Sequence, residues 1–186
     1  MRKQKPPGQP KPRTRRSVRS LALRTASRQE ARQIHTLIAA HLQEGHLLPR
    51  DLSELTVHAD RFIVAVEGDG EIVAFGELAP LSHTLAEIRS LVVSERRRGS
   101  GIGRRVVNEL RHRAQLEGFE TLCAFTHQPA YFVRMGFSIV PHTWLPEKIS
   151  ADCRICPLFR QCGQFAMLAD LEPARDARAS MLSLHA

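Results

Sequence analysis

Arg98-Gly99-Ser100-Gly101-Ile102-Gly103 stands between an apolar run, Leu91-Val92-Val93, and a long amphipathic segment that begins at Ile102. A strand that runs into a glycine-rich turn and then a helix leaves several backbone N–H groups without partners and aimed at one spot. There the helix dipole also favours negative charge. Glycine lets that backbone approach a phosphate with no Cβ in the way. The stretch therefore reads as an anion cradle. Its spacing does not fit the dinucleotide fingerprint, since Arg104 and Val106 occupy the place of a last glycine, and no Lys-Ser or Lys-Thr pair follows to make a Walker loop. A different pyrophosphate-bearing ligand is implied.

Outward from the cradle, Ile102, Val106, Leu110 and Ala114 lie on one stripe, with Val107 beside it and charges elsewhere, which predicts a surface helix over 102–116 ended by Gly118. Before the cradle, a strand from about Thr84 to Val93 follows a hairpin of Arg61–Val66 and Glu71–Leu81, turned at Glu67-Gly68-Asp69-Gly70. Further upstream, Val18–Arg24 alternates at period two and reads as a first strand. Ser27 and Glu30 make a capping box for a helix carrying Ile34, Leu37, Ile38 and Leu42, closed by Gly45. Pro49 introduces a short second helix. After the cradle helix come a strand over 119–125, a short helix started by Pro129 and capped by Gly136, and β structure over 137–140. A polar, cysteine-bearing loop and a last strand over 164–168 complete the chain. The order β-α-α-β-β-β-α-β-α-β-β is mixed α/β, with the cradle helix crossing over between two central strands.

The 186 residues and 42% apolar content suit one core and one domain. The net charge of +8 is unevenly placed. Eight of the 27 Lys and Arg fall within residues 1–20, where no acid occurs, leaving 19 bases against 19 acids in the rest. The basicity thus belongs mostly to a Pro-rich tail, residues 1–17, which holds seven of those eight bases, is too poor in apolar residues to fold alone and is expected to be disordered. A transit peptide and polyanion attachment are minority readings of that tail. No apolar segment suggests secretion or a membrane span. Four cysteines without an export signal argue for a reducing compartment, and the expected location is the cytoplasm.

These residues resemble the GNAT acetyltransferase superfamily, whose acetyl-CoA site uses an Arg/Gln-x-x-Gly-x-Gly/Ala turn after the fourth strand. Arg98, Gly101 and Gly103 meet that pattern, and Phe132, Gly136 and Phe137 supply a downstream Phe-x-x-x-Gly-Phe segment. Within the superfamily the chain looks like the short, single-domain amino-acid N-acetyltransferases that make N-acetylglutamate for arginine biosynthesis. Four local matches carry this resemblance: Leu47–Leu55, Ala86–Leu91, Thr126–Pro129, and Leu145-Pro-Glu-Lys148 with Asp152-Cys-x-x-Cys-Pro-x-Phe-x-x-Cys162. The resemblance implies a GNAT domain over 18–172, with a C-terminal extension over 173–186. The implied sheet is twisted, mixed and mostly antiparallel, with six to seven strands flanked by helices.

It also implies a site. Acetyl-CoA as co-substrate would set its pyrophosphate on Gly99, Ser100, Gly101, Ile102, Gly103 and Arg104 beside Arg98, and its pantetheine arm along Leu91, Val92 and Val93. L-glutamate would be the acceptor, with Arg50, Arg89 and Lys148 meeting its carboxylates and Thr126 and His127 orienting it. Glu87 is the first candidate for the base that takes the amine proton, and a main-chain N–H near Leu91 is the candidate oxyanion donor. The family's usual tyrosine general acid falls at Phe132 here, with Tyr131, the chain's only tyrosine, one residue earlier. Cys153, Cys156 and Cys162 have part of a zinc-site spacing, with His142 as a fourth ligand. No second Cys-x-x-Cys is present, so a packing or loop-fixing thiol cluster is preferred and no metal is expected. Rival readings are a GNAT enzyme for another small amine or a protein N-terminus, an acyl-CoA sensor, and a nucleic-acid or ribosome-associated module using the tail. A homodimer remains open.

Overall fold

The computed structural model describes residues 21–45 and 47–172. Among them run the strands β1 (Leu21–Thr25), β2 (Phe62–Glu67), β3 (Ile72–Pro80), β4 (Leu85–Val93), β5 (Thr121–Thr126), β6 (Ser138–Val140) and β7 (Phe165–Asp170). The α-helices are α1 (Ala31–His41), α2 (Leu52–Val57), α3 (Ile102–Leu116), α4 (Pro129–Val133) and α5 (Pro146–Ala151). The seven strands make one open sheet of order β1-β2-β3-β4-β5-β7-β6. All neighbours are antiparallel except β4 and β5, whose parallel pairing α3 makes possible by crossing over between them. No helix among the described residues is long and apolar enough to cross a membrane.

Helix α3 covers one face of the sheet with Ile102, Val106, Val107, Leu110 and Ala114, joined by Phe132 and Phe137 from the α4 region. On the other face, α1 and α2 bury Ile34, Ile38 and Leu55 against Phe62, Val64, Phe75 and Val92. A third cluster, Leu85, Cys123, Val140, Leu145 and Ala166, lies under the segment that carries α5. The expected helices and strands occur with shifts of a few residues at their ends. Segment 146–151 differs in kind, being the short helix α5 where the sequence reading placed a polar loop. Pro146 sits in its first turn, where a missing N–H costs nothing, and six residues are too few for a helical hydrophobic period to show. Residues 18–20 of the expected first strand, the tail 1–17 and the extension 173–186 lie outside the described residues.

Two irregularities shape the site. Strand β3 pairs Phe75 with Val92 and Glu77 with Arg89, so Gly76 alone opposes Ser90 and Leu91. This bulge turns Ser90 into a left-handed conformation, φ 52°. It also resets the alternation, so that Leu91 packs towards α3 while Val92 stays against the α1 face. Gly76 is required opposite the bulge, because a Cβ there would stand 2.9 Å from Leu110 Cδ1 and 3.4 Å from Leu91 Cδ1. The second irregularity is that β4 and β5 pair only from Leu85–Thr121 to Ile88–Ala124, and part beyond that point.

Candidate active site

A cleft of about 1420 Å³ opens where β4 and β5 separate. Its donor side is the turn into α3. Gly99 and Gly101 hold φ of 75° and 82°, left-handed values that favour glycine, and Gly101 is the N-cap of the 15-residue α3. The first N–H groups of that helix have no intrahelical partner and face the cleft end of the dipole. Gly99, Gly101, Ile102, Gly103 and Arg104 line the cleft, as do Leu91, Val92 and Val93 of β4. Arg98 also lines it, with its guanidinium spanning the Val93 carbonyl at 3.4 Å and Glu44 at 2.5 Å. Ser100 does not line it; its hydroxyl turns back to the Arg97 carbonyl.

Tyr131 enters the cleft from α4. Its ring meets Phe132 edge-on at 5.3 Å, and its hydroxyl is buried without a hydrogen-bond partner. Burial raises the phenol pKa, against smaller opposing effects of Arg104 and Arg134. A buried O–H without a partner costs free energy unless a ligand completes it. The hydroxyl lies beside Gly103, next to the helix N-terminus, and can therefore donate to a group bound along β4.

The acceptor side is an array of charges. Glu87, 2% exposed, accepts from Arg89 Nε at 3.0 Å and from Lys148 Nζ at 2.8 Å. Asp152 accepts from the same two cations, at 3.0 Å from Arg89 Nη2 and 2.8 Å from Lys148 Nζ. Burial alone would lower the pKa of both Arg89 and Lys148, but their carboxylate partners, Glu87 foremost, hold both raised. Burial pushes Asp152 up, and the Lys148 bond with the Arg89 charge brings it below the usual range. Lys148 also lies over the Phe125 ring, 5.4 Å from its centroid.

Arg50, on the loop before α2, forms a second array. It bonds Glu54 at 2.6 and 3.0 Å, Glu77 at 2.9 Å and the Ser90 hydroxyl at 2.9 Å. Its donors thus lock α2 to the bulge of β4. Thr126, at the end of β5, accepts from the Gln128 N–H at 3.0 Å. The His127 ring packs beside Gly163, where an added Cβ would lie 3.6 Å from its Cε1. All the residues expected for acceptor binding therefore border one cleft with the cradle, as do Glu87 and Tyr131. Sequence reasoning missed Glu77, Ser90 and Asp152 as site residues. A lone acid among the apolar residues of β3 and the four-residue spacing of Lys148 and Asp152 were the available signals for two of them.

Cys153, Cys156 and Cys162 are free thiols on the acceptor rim. The His142 Nε2 is 2.9 Å from the Gln164 carbonyl, and its ring lies against Phe125. Among the described residues these side chains do not gather at ligating distance. The group that does is Glu67, Asp69 and Glu71 in the β2–β3 turn, where Arg97 and Arg96 already pair with Glu67.

Comparison with known proteins agrees with this architecture. An uncharacterized N-acetyltransferase of Chlorobaculum tepidum is 32% identical over 149 residues, covering 80% of this chain and 96% of its own. N-acetylglutamate synthase from Neisseria gonorrhoeae, solved with coenzyme A and N-acetyl-glutamate, aligns with a TM-score of 0.74 at 23% identity. The alignment covers 82% of this chain and 35% of that longer one. Rv2747 from Mycobacterium tuberculosis, solved with CoA, aligns with a TM-score of 0.71 at 24% identity, covering 81% of this chain and 99% of its own. The model of the acetyltransferase (GNAT) family matches residues 23–137. With the crossover, the parted strands and the glycine cradle in place, the chain belongs to the acetyltransferase (GNAT) family, a family of acetyl-CoA-dependent N-acetyltransferases.

Proposed function

We propose that the protein transfers the acetyl group of acetyl-CoA to the α-amino group of L-glutamate. The observation that carries this reading is the pair Arg89 and Lys148, two part-buried cations side by side in the same cleft as the α3 cradle. Such a pair suits an acceptor that brings carboxylate. The neighbours from Neisseria gonorrhoeae and Mycobacterium tuberculosis support the choice of donor, and the former supports the choice of acceptor.

In this reading the CoA pyrophosphate rests on the N–H groups of Gly99 and of Gly101 to Arg104, the Ser100 N–H being donated to the Arg97 carbonyl at 3.3 Å, and the pantetheine arm runs along Leu91 to Val93. The thioester then lies in the gap beyond Ile88 and Ala124, where the strands part. The neutral amine attacks the thioester carbon, a C–N bond forms, and the carbonyl electrons move to oxygen. A main-chain N–H of the bulge, at Leu91 or Val92, stabilises that oxyanion. The C–S bond breaks as the carbonyl re-forms, and Tyr131 donates its proton to the departing thiolate. Burial suits Tyr131 to this role by keeping the phenol protonated. Glu87, the expected base, already accepts from two cations. We assign it to orienting Arg89 and Lys148, and the amine proton to water in the open cleft. Arginine biosynthesis and a cytoplasmic location belong to the same reading.

The test is release of free CoA across a panel of amino acids, with Arg89→Ala run beside the native protein. Glutamate should be the best acceptor, and the variant should lose about a hundredfold or more in kcat/KM. A native preference for another amine, or an unchanged rate in Arg89→Ala, would remove glutamate or Arg89 from the assignment.

A further inference from the structure

Arg89 and Lys148 are balanced by two carboxylates in different settings. Glu87 is fixed in the middle of β4, between Ala79 of β3 and Cys123 of β5, and is 3% exposed at its side chain. Asp152 follows α5 on the cleft rim, is 37% exposed at its side chain, and reaches the same Arg89 Nη2 and Lys148 Nζ. The cluster therefore holds two positive and two negative groups. A substrate carboxylate entering on top of these four would face an electrostatically satisfied site. One entering in place of Asp152 would keep both the charge balance and the hydrogen bonds of the cations.

We propose that Asp152 is a resident counter-ion occupying the seat of the acceptor carboxylate, and that a carboxylate-bearing acceptor binds by displacing it. The inference rests on the reading of this cleft as an amino-acid site. Glu87 cannot be the group displaced, because it is buried in the sheet and its departure would leave two cations facing an emptied interior. Asp152 can leave towards water by rotation of its side chain, because it stands at the very end of α5, where its N–H makes the last bond to the Lys148 carbonyl at 3.0 Å and a short turn follows, closed by the Cys156 N–H on the Cys153 carbonyl at 3.1 Å. Asp152 thereby becomes a specificity-determining residue. An amine without a carboxylate has nothing to exchange for it and meets a cleft whose cations are already paired.

The test uses glutarate, which carries two carboxylates and no amine and so binds without turnover. Calorimetric titration of the full chain should show Asp152→Asn binding glutarate about tenfold more tightly than the native protein, with neutral glutaramide unaffected. The KM for glutamate should fall by a similar factor, the gain lying in KM. Glutarate binding that is unchanged, weaker or undetectable in both proteins would overturn the proposal. Should Asp152→Asn not fold, hydrogen exchange on the native chain decides. Saturating glutarate should speed exchange over residues 151–156, and unchanged or slower exchange there would overturn the exchange mechanism. If glutamate releases no CoA while glutarate still favours the variant, the acceptor reading fails and the counter-ion assignment stands.

Discussion

Gly103 and Tyr131 are in contact across the cleft: a Cβ on Gly103 would stand 2.8 Å from the Tyr131 hydroxyl and 3.2 Å from Val93 Cγ2. The first turn of α3 and the tyrosine of α4 are therefore built around each other. Gly103→Ala should raise the KM for acetyl-CoA about tenfold, by pushing either the tyrosine or the cradle out of place. Removing the hydroxyl leaves the next ring atom at 3.7 Å, an ordinary contact. Tyr131→Phe should therefore restore part of the donor affinity in the Gly103→Ala background, the Val93 contact at 3.2 Å remaining, a non-additivity read by a double-mutant cycle. Equal donor affinity in the single and double variants would disprove the clash.

Tyr131→Phe alone separates the acid role from packing. If the hydroxyl protonates the leaving thiolate, kcat should drop about a hundredfold while the KM for acetyl-CoA stays near its native value. The raised phenol pKa places any loss of activity from its ionisation above the ordinary tyrosine value near 10, so the native pH profile should show no tyrosine limb below that value. A kcat within twofold of native would reassign Tyr131 to packing.

Arg50 illustrates what residue identity conceals. The sequence placed it by resemblance among the acceptor ligands, and it does line the cleft, but its donors meet Glu54, Glu77 and Ser90. Burial works against its charge, and the bonds to Glu54 and Glu77 outweigh that. Glu77 is 1% exposed, so Arg50→Ala would strand a buried carboxylate and should cost about 3 kcal/mol of stability. Denaturant unfolding checks this, and the pair Arg50→Ala with Glu77→Gln should recover much of the loss. A stability loss below about 0.5 kcal/mol with a raised glutamate KM would return Arg50 to direct acceptor binding.

The donor half of the site was legible because it is local. Strand, glycine turn and amphipathic helix are contiguous from Leu91 to Leu116, and each signal lies within reach of the next. The acceptor half joins β4, the loop before α2, the end of β5 and α5, so its partners depend on register. No local pattern announces that Gly76 faces two residues of β4, and that bulge is what sends Ser90 towards Arg50. Helix α5 escaped notice for a related reason, since six residues with three polar side chains carry no period. Glu87 was found as a residue, while its pairing with Lys148, 61 positions away, needed the fold.

The four cysteines should divide sharply in reactivity. Cys123 is fully buried in β5, and burial, with the Glu87 charge, pushes its thiol pKa far up. Cys153, Cys156 and Cys162 are partly or fully accessible. A thiolate-selective disulfide reagent should modify three thiols of the native protein and the fourth only on unfolding. Occupancy of the acceptor site by glutarate should leave Cys123 silent. Rapid modification of Cys123 in the native state would contradict the packing of β5.

The Arg24 and Glu30 pair ties β1 to the start of α1 and makes stability depend on acid. Arg24 donates to both oxygens of Glu30, at 2.6 and 2.8 Å, and the Ser27 N–H adds a third bond at 2.8 Å. The Arg24 bonds foremost, against the opposing effect of burial, lower the Glu30 pKa to about 2. An unfolded glutamate titrates near 4.3, so the unfolded chain takes up this proton first as pH falls. The stabilisation is therefore complete above about pH 5 and is lost progressively towards pH 2. Because the Arg24 side chain is solvent-exposed, screening limits the effect to about 1 kcal/mol. Glu30→Gln should thus be less stable than the native protein by about that amount at pH 7. The gap should shrink to about half when both are unfolded by denaturant near pH 3 and close at about pH 2 and below, and a gap of constant size would place the effect in packing rather than in the ion pair.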